Sequence, residues 1–283
     1  METIAFQKFS GCGNDFIIID NRSGHIDERR LHQLVVGACR RRLSVGADGV
    51  ILVENSATAD FRWRFFNADG SEAEMCGNGA RCVARFAWLN GIAGSRLSFQ
   101  TVAGLVSATV EGNQVRVRMP EARDLVLDEL LQARGATVSV SRIFTGVPHA
   151  VVFVEELETV DVVGLGRVIR HHPHYGPAGT NVNFVCCGPD GSLSVRTYER
   201  GVEDETLACG TGAVASAIVA GARFCLRPPV AVATRSKGVL TIDYRSESGR
   251  FSDIDMQGDA RFVYRGEITA EAWDTPVAKP GGS

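Results

Sequence analysis

Apolar residues occur along this chain with two different spacings, and these predict alternating strands and helices. The continuous apolar runs in "FIIID" and "GVILVE" are typical of buried strands. Leu31, Leu34, Val35 and Ala38 instead recur at helical spacing, directly after Asp27, a residue type that favours the N-cap position. The pattern therefore predicts a strand, a helix and a second strand near the start of the chain.

The same order of elements recurs later in the chain at one constant offset. "NADGSEAEMCGNGARCVARFA" from Asn67 matches "RGVEDETLACGTGAVASAIVA" from Arg200 without a gap. At that offset "GNDFIIID" also meets "GVPHAVVF", and "GADGVILV" meets "GTNVNFVC". The second copy likewise has a predicted helix after Asp161, with Leu165, Val168 and Ile169 on its apolar face. The chain is therefore interpreted as two copies of one domain.

Each copy contains a helix that is apolar or small on most sides, as in "ARCVARFAWL" and "AVASAIVAGA", which predicts a buried helix. Short predicted strands follow it and complete the unit, among them "VSATVEG" and "QVRVRMP". We expect an α+β fold of two pseudo-twofold-related domains, each a curled, mainly antiparallel sheet or barrel around a central helix. The expected domains are 1–121, completed by residues 263–275 after the chain returns near "FVYRGEI", and 122–262. Residues 276–283 are expected to form a flexible tail.

Composition limits the function classes. A net charge of -3 over 283 residues offers no basic surface for nucleic acid or an anionic membrane. No apolar run approaches the roughly 20 residues of a membrane helix, and the N-terminus has no signal-peptide pattern. We therefore expect a cytoplasmic protein with a small-molecule substrate, no nucleic acid partner and no membrane partner.

The cysteines and lysines bear on cofactors. No Cys-x-x-Cys pair occurs among the eight cysteines, so no zinc site is expected, and neither is a disulfide framework. The "HHPH" run is interpreted as solvated, and five cysteines are interpreted as small buried hydrophobes: Cys39, Cys82, Cys186, Cys187 and Cys225. The only lysines are Lys8, Lys237 and Lys279, and none lies in a phosphate-binding loop, which argues against pyridoxal chemistry. We expect no cofactor and no metal.

The two cysteines that the repeat aligns with each other carry the candidate chemistry. Cys76 and Cys209 each directly precede a Gly-x-Gly helix start. Free backbone N–H groups and the helix dipole at such a site favour a thiolate and bind a carboxylate. One thiolate and one thiol on opposite faces of an α-carbon could invert that centre by proton transfer, if the site stabilises the developing carbanion.

Five stretches spread over most of the chain resemble the diaminopimelate epimerase family: "KFSGCGNDFIIID", "FFNADGSEAEMCGNGARC", "PHAVVF", "GTNVNF" and "YERGVEDETLACGTG". The resemblance implies a cofactor-independent isomerase that interconverts LL- and meso-diaminopimelate, in lysine and peptidoglycan-precursor biosynthesis. It also implies a homodimer, with Tyr264 at a common dimer-contact position.

The resemblance assigns roles to residues of this chain. Cys76 and Cys209 match the catalytic pair, with His149 and Glu199 as accessory groups near the thiols. The positions that match substrate-binding residues are Asn14, Asn67, Gly77, Asn78, Asn181, Glu199, Arg200, Gly210 and Thr211. Arg200 suits a substrate carboxylate and Glu199 an ammonium, as a molecule with two amino-acid ends requires.

Two departures leave alternatives open. Val147 stands where the family commonly has asparagine, and Gly49 where some members have glutamine. One alternative is a related two-cysteine racemase or epimerase acting on another amino acid. Another is a non-enzymatic dithiol redox or ligand-binding protein. Asp15 is also left open, as a candidate for either catalysis or a turn or capping role. Arg40, Arg41 and Arg42 are interpreted as a charged helix end.

Overall fold

The computed structural model describes residues 3–273 and contains two compact units. The first unit comprises residues 3–113 and 260–273, and the second comprises residues 114–259. The predicted tail, 276–283, lies outside the described residues. None of the helices within 3–273 has the length and apolar character needed to cross a membrane.

Eighteen strands make up most of both units. In chain order they are β1 Thr3–Gly11, β2 Asn14–Asp20, β3 Gly49–Glu54, β4 Phe61–Asn67, β5 Glu72–Ala73, β6 Arg96–Thr101, β7 Gly104–Glu111, β8 Gln114–Arg118, β9 Arg123–Ala133, β10 Ala136–Phe144, β11 Pro148–Phe153, β12 Asn181–Cys187, β13 Leu193–Glu199, β14 Asp204–Thr206, β15 Val230–Ala233, β16 Val239–Glu247, β17 Arg250–Asp259 and β18 Arg261–Thr269.

Five α-helices connect or follow these strands. They are α1 Glu28–Cys39, α2 Gly77–Leu89, α3 Val162–Arg170, α4 Gly210–Phe224 and α5 Ala270–Trp273. Short 3₁₀ turns cover Leu157–Thr159 and Pro173–Tyr175.

The first unit is a mixed sheet around helix α2. Its strands follow the order β18–β1–β2–β3–β4–β6–β7, with the short β5 on β4. The pairs β2–β3 and β4–β6 are parallel because α1 and α2 cross over between them. Helix α2 lies against β1, β2, β3, β7 and β18, and the side chains from Ala80 to Ala84 along it are excluded from solvent.

The second unit repeats this plan around helix α4. Its order is β9–β10–β11–β12–β13–β15–β16–β17–β8, with β14 on β13. The pairs β11–β12 and β13–β15 are parallel and are connected through α3 and α4. The expected α+β class, with two copies of one domain, is confirmed.

Strand pairing decides where the units meet along the chain. β8 pairs with β17 from Arg118–Asp255 to Gln114–Asp259, which places residues 114–118 in the second unit. The repeat alone had suggested boundaries after residues 121 and 262. No feature of the repeat reports this pairing, because β8 joins a strand far away in sequence.

The predicted helix caps are present in both copies. The Asp27 carboxylate accepts a hydrogen bond from the Arg29 N–H at 3.0 Å, and that of Asp161 accepts from the Gly164 N–H at 2.9 Å. These bonds satisfy helix N–H groups that have no partner within the helix. Helix α1 buries the predicted apolar residues.

The burial predicted for three side chains was wrong, and Cys186, also expected to be buried, is only half-buried. Val168 was expected on the buried face of α3 but is 37% exposed, because the helix packs through Val162, Gly166 and Ile169 instead. Cys187 and Cys225 were expected to be buried and are exposed, since one ends strand β12 and the other follows the last residue of α4.

Candidate active site

The two repeat cysteines occupy the same structural position in their units. Cys76 is the N-cap of α2, where its Sγ accepts a hydrogen bond from the Gly79 N–H at 3.4 Å. Cys209 is the N-cap of α4, with its Sγ 3.5 Å from the Thr211 hydroxyl. Each thiol is therefore placed at the positive end of a buried helix, as the sequence predicted for that local structure.

At each helix start, the glycine three residues after the cysteine is closely approached by neighbouring atoms. A Cβ at Gly212 would lie 2.2 Å from Asn183 Oδ1 and 3.2 Å from Cys209 Sγ. At Gly79 a Cβ would lie 3.3 Å from the Trp63 ring. The absence of side chains here allows the sheet to pack directly beneath the turn that carries each thiol.

Helix α2 is joined to strand β2 by a chain of amide hydrogen bonds. Asn78 Nδ2 donates to Asn14 Oδ1 at 2.6 Å, and the Asn78 Oδ1 accepts from Arg81 Nη2, also at 2.6 Å. Asn78 and Arg81 are almost completely buried, and Arg81 also donates to the Gly77 carbonyl. Of the predicted site residues in the first unit, Asn14, Cys76, Gly77 and Asn78 therefore lie together.

A charged cluster that was not predicted from the sequence binds the NH₂ group of the Asn14 side chain, whose oxygen is bound by Asn78. Asn14 Nδ2 donates to Asp48 Oδ2 at 3.0 Å. Arg41 bridges Asp48 and Asp15 at 2.7 and 2.6 Å, and the buried Lys8 pairs with Asp15 at 2.8 Å. Arg41 is thus more than a charged helix end, and Asp15 is an ion-pair residue.

The electrostatics of this cluster favour an ionised Asp15 carboxylate. Burial by itself would raise the pKa of Asp15, but hydrogen bonds from Arg41 and Lys8 outweigh it and lower that pKa. Asp15 and Asp48 also accept each other's backbone N–H groups. The arrangement ties the starts of β2 and β3 together and fixes the position of Asn14.

Asn67 and Gly49 are paired in register at the end of β4 and the start of β3. Asn67 Nδ2 donates to the Ser71 hydroxyl at 3.0 Å, so its side chain closes a turn and is not hydrogen-bonded to the Asn14 group. A Cβ at Gly49 would lie 2.4 Å from the Phe66 carbonyl oxygen. A glutamine at this position would require the strand pair to move.

In the second unit, Asn181 organises the loop after β13. Its Oδ1 accepts from the Arg200 N–H at 2.8 Å, and its Nδ2 donates to the Pro148 carbonyl. The Arg200 guanidinium makes no hydrogen bond or ion pair to a residue of 3–273. An unpaired guanidinium is suited to a carboxylate ligand.

Glu199 precedes Arg200 at the end of β13. Its Oε2 accepts from the Thr206 hydroxyl at 2.8 Å. Burial raises the pKa of the Glu199 carboxyl, and the bond from Thr206 opposes that shift. Glu199 can therefore exchange a proton closer to neutrality than an exposed glutamate does.

His149 lies on β11 and is 1% exposed. Its Nδ1 is 3.1 Å from Asn183 Nδ2, and Asn183 in turn accepts from the Thr197 hydroxyl at 2.9 Å. Burial and the nearby charge of Arg200 lower the pKa of His149 to about 3, so the ring is neutral at physiological pH. Asn183 and Thr197 were missed from the sequence, although Asn183 lies within the "GTNVNF" motif.

The turn before β11 is anchored to the start of α4. Thr145 Oγ1 donates to the Thr211 carbonyl at 3.0 Å, and the Thr145 N–H donates to the Val147 carbonyl. Thr211 and Gly210 thus lie at the helix start, as predicted. Val147 contributes a backbone carbonyl to this turn, and its side chain has no polar group for a ligand.

Two further kinds of site, a metal site and a reactive thiol at Cys39, are not supported by the described residues. Within 3–273, no group of three or more His, Cys, Asp or Glu side chains could hold a metal ion. Burial raises the pKa of Cys39 to about 12, which makes that thiol unreactive at neutral pH.

Solved structures with the same fold include a phenazine biosynthesis protein and a hydroxyproline epimerase. A phenazine biosynthesis protein of the PhzF family from Bacillus anthracis superposes with a TM-score of 0.74 at 17% identity, covering 95% of this chain and all of that one. A hydroxyproline epimerase from Agrobacterium vitis superposes with a TM-score of 0.69 at 15% identity, covering 96% and 97%. At these identities the likeness shows the fold alone.

Sequence comparison is more specific. A relative from Aquifex aeolicus (strain VF5), named diaminopimelate epimerase, is 44% identical over 94% of this chain and 98% of its own length. One of the same name from Hydrogenobaculum sp. (strain Y04AAS1) is 46% identical over 93% and 98%. The family model described as diaminopimelate epimerase matches residues 6–124 and 142–263. The chain therefore belongs to the diaminopimelate epimerase family.

Proposed function

We propose that this protein interconverts LL- and meso-diaminopimelate without a cofactor, with Cys76 and Cys209 as the two acid–base groups. Family membership supports the substrate, since the relatives named above carry that name. The observation that carries the chemistry is the repetition of one unusual feature, a cysteine N-cap on a buried Gly-x-Gly helix, in both units. The activity would serve lysine and peptidoglycan-precursor biosynthesis.

The proposed reaction moves one proton on each side of the α-carbon. The thiolate of one cysteine removes the α-proton, and the electron pair of the broken C–H bond becomes the carbanion. The thiol of the other cysteine then donates its proton to the opposite face. The configuration is inverted, and the two sulfurs have exchanged protonation states, so the enzyme can run in either direction.

An α-proton of an amino acid is too weakly acidic for a thiolate in water, so the site must stabilise the carbanion. The N–H groups of Gly77, Asn78, Gly210 and Thr211 lie in the first turns of α2 and α4. These groups would bind the α-carboxylate and draw charge away from the carbon. The buried bodies of α2 and α4 behind these groups lower the local dielectric and so strengthen such interactions.

The polar ends of the substrate would be held by separate groups. The unpaired Arg200 guanidinium suits the distal carboxylate, and Glu199 suits an ammonium group. Asn14, Asn67 and Asn181 complete the proposed set, with Asn14 and Asn181 held by two internal hydrogen bonds each. Diaminopimelate is favoured over another amino acid because the relatives share this name across most of the chain.

A homodimer in the cytoplasm accompanies this proposal. Phe262, Val263 and Tyr264 on β18 are 42–54% exposed, and β1 is the only described strand that pairs with β18. An apolar strand edge of this kind is suited to a second copy of the chain. All eight cysteines are free thiols, which suits a reducing compartment.

Exchange of the α-proton in D₂O under reducing conditions tests the function. We expect deuterium to enter diaminopimelate from either stereoisomer, with little entering proline, hydroxyproline or histidine. Exchange only into another amino acid would reject the substrate. No exchange with any of them, despite ligand binding, would reject the enzyme and favour a binding or redox protein.

A further inference from the structure

His149 belongs to a hydrogen-bond network in which one backbone carbonyl decides which groups donate and which accept. Asn183 Nδ2 lies 3.0 Å from the Ala150 carbonyl oxygen, and Asn183 Oδ1 lies 2.9 Å from the Thr197 hydroxyl. If the amide were reversed, its oxygen would face the Ala150 oxygen and the two acceptors would repel. The Ala150 carbonyl therefore fixes Asn183 with its NH₂ group towards β11.

This orientation determines which ring nitrogen of His149 carries the proton. The second hydrogen of Asn183 Nδ2 points at His149 Nδ1 across 3.1 Å. Since Nδ2 can only donate, Nδ1 must accept with its lone pair. The proton of the neutral ring then resides on Nε2. Protonating Nδ1 as well would set two donors against each other in a buried site.

The Nε2–H group has no partner in the described part of the protein. Nε2 is fully buried and makes no hydrogen bond to any residue of 3–273. A buried donor left in this state is destabilising and calls for an acceptor that becomes available only when the reacting complex forms. The charge of the Arg200 guanidinium, which acts on the ring, disfavours a cationic histidine and would attract an anionic ligand.

The network also contacts the thiol-bearing turn of the same unit. Asn183 Oδ1 lies directly beneath Gly212, where even a methyl group would approach it to 2.2 Å. The same methyl group would lie 3.2 Å from Cys209 Sγ. Asn183 is thus packed between the ring of His149 and the helix start that carries Cys209.

We propose that Asn183, held by Thr197, is a positioning residue that fixes His149 in its Nε2–H tautomer. His149 then acts as a hydrogen-bond donor to an anion that arrives with the reacting complex. That anion is a carboxylate oxygen of the substrate or a cysteine thiolate. In this state Nε2 has no lone pair to act as a base. This assignment rests on the proposed function, which supplies the anion.

Nitrogen NMR of the protein labelled at its six histidines tests the tautomer directly. The His149 signals are identified by their loss in His149→Gln. We expect a pyrrole-type Nε2 and a pyridine-type Nδ1, without protonation through the neutral and mildly acidic range. A proton on Nδ1, or a cationic ring in that range, would overturn the proposal. This readout needs no turnover, so it stands apart from the deuterium-exchange test of the function.

Replacing the positioning residue should reverse the tautomer. In Asn183→Asp the carboxylate can only accept, so we expect the His149 proton to move to Nδ1 and turnover to fall by at least tenfold. The matched control is Asn113→Asp in an exposed turn, which should change neither the tautomer of His149 nor the turnover. Retained Nε2–H in folded Asn183→Asp, or full turnover with the reversed tautomer, would contradict the role. If this variant does not fold, Thr197→Val offers the same test, with a mixed tautomer expected.

The source of the anion is distinguished by ligand addition. We expect diaminopimelate to shift the Nε2–H proton signal downfield. A shift that persists in the Cys76→Ser/Cys209→Ser double variant identifies a substrate carboxylate as the acceptor, and a shift lost in that variant identifies a thiolate. An unchanged signal at saturating ligand would reject the donor role.

Discussion

Asn14 and Asp48 are joined by a 3.0 Å hydrogen bond from the amide Nδ2 to the carboxylate Oδ2. Because Asn78 occupies the other end of the same amide, Asn14 cannot rotate without breaking a bond at each end. The chain of donors runs from the buried Arg81 cation to the Asp48 anion. One end of the proposed substrate site is therefore oriented by charges that need not touch the substrate.

Removing the anion should loosen that orientation. We expect Asp48→Ala to raise the KM for diaminopimelate about tenfold to a hundredfold, the equivalent of one hydrogen bond to a charged group at ~1.5–3 kcal/mol. The kcat should change less. The KM of Asp48→Asn, which can still accept a hydrogen bond from Asn14, should lie between those of the parent protein and Asp48→Ala. Steady-state kinetics measures this, with Asp60→Ala as a control that loses a backbone bond elsewhere in the unit. An unchanged KM in Asp48→Ala would contradict the idea.

The two N-cap thiols should each be essential. We expect Cys76→Ser and Cys209→Ser to lower epimerisation by at least about a hundredfold, because a hydroxyl is a far weaker base at neutral pH and acid–base catalysis contributes ~10²–10⁴-fold. Deuterium exchange measures the loss, and the exposed Cys187→Ser serves as the control. Near-normal turnover in either N-cap variant would sink the two-base assignment.

The raised pKa of Glu199 should make stability depend on pH. Folded Glu199 keeps its proton to a higher pH than the unfolded chain does, so the native state binds more protons between the two pKa values. Its contribution to the free energy of unfolding therefore falls as the pH rises through that window. In Glu199→Gln this decrease in the free energy of unfolding should be absent, so the variant should be more stable than the parent at higher pH. Urea titrations across pH measure the free energy of unfolding, with Glu247→Gln at an exposed position as control. If the free energy of unfolding of Glu199→Gln and of the parent depends on pH in the same way, the raised pKa of Glu199 is contradicted.

The repeat supplies a matched pair of glycines for a packing test. A Cβ at Gly212 would lie 2.2 Å from Asn183 Oδ1, whereas a Cβ at Gly79 would lie 3.3 Å from a Trp63 ring atom. Both positions are in helix first turns and gain similar helix propensity from alanine. We expect Gly212→Ala to be less stable than Gly79→Ala by about 1–3 kcal/mol, the usual cost of overpacking. Equal midpoints of chemical unfolding would show that Asn183 can move aside.

The chain's own periodicity was enough to predict much of the fold. Helix α1 after Asp27 and helix α3 after Asp161 form as expected, because cap chemistry and apolar spacing are local properties. The repeat identified two copies and gave the α+β class. The family resemblance is confirmed over most of the chain. Strand β9 was not predicted, since "DELLQA" has no strand alternation, and its extended form comes from pairing with β10.

The sequence by itself determined the candidate residues for the proposed chemistry: a cysteine before each Gly-x-Gly helix, with amides, an arginine and a glutamate in motifs that resemble those of the family. Only the tertiary structure decided what holds them. Arg41 reaches Asp48 from the end of α1, and Asn183 meets His149 across the parallel pair β11–β12. Motifs specify local backbone and side-chain type, but hydrogen-bond partners such as Asn183 and His149, 34 residues apart, are set by strand register. Register is fixed by the packing of the whole sheet rather than by any short stretch.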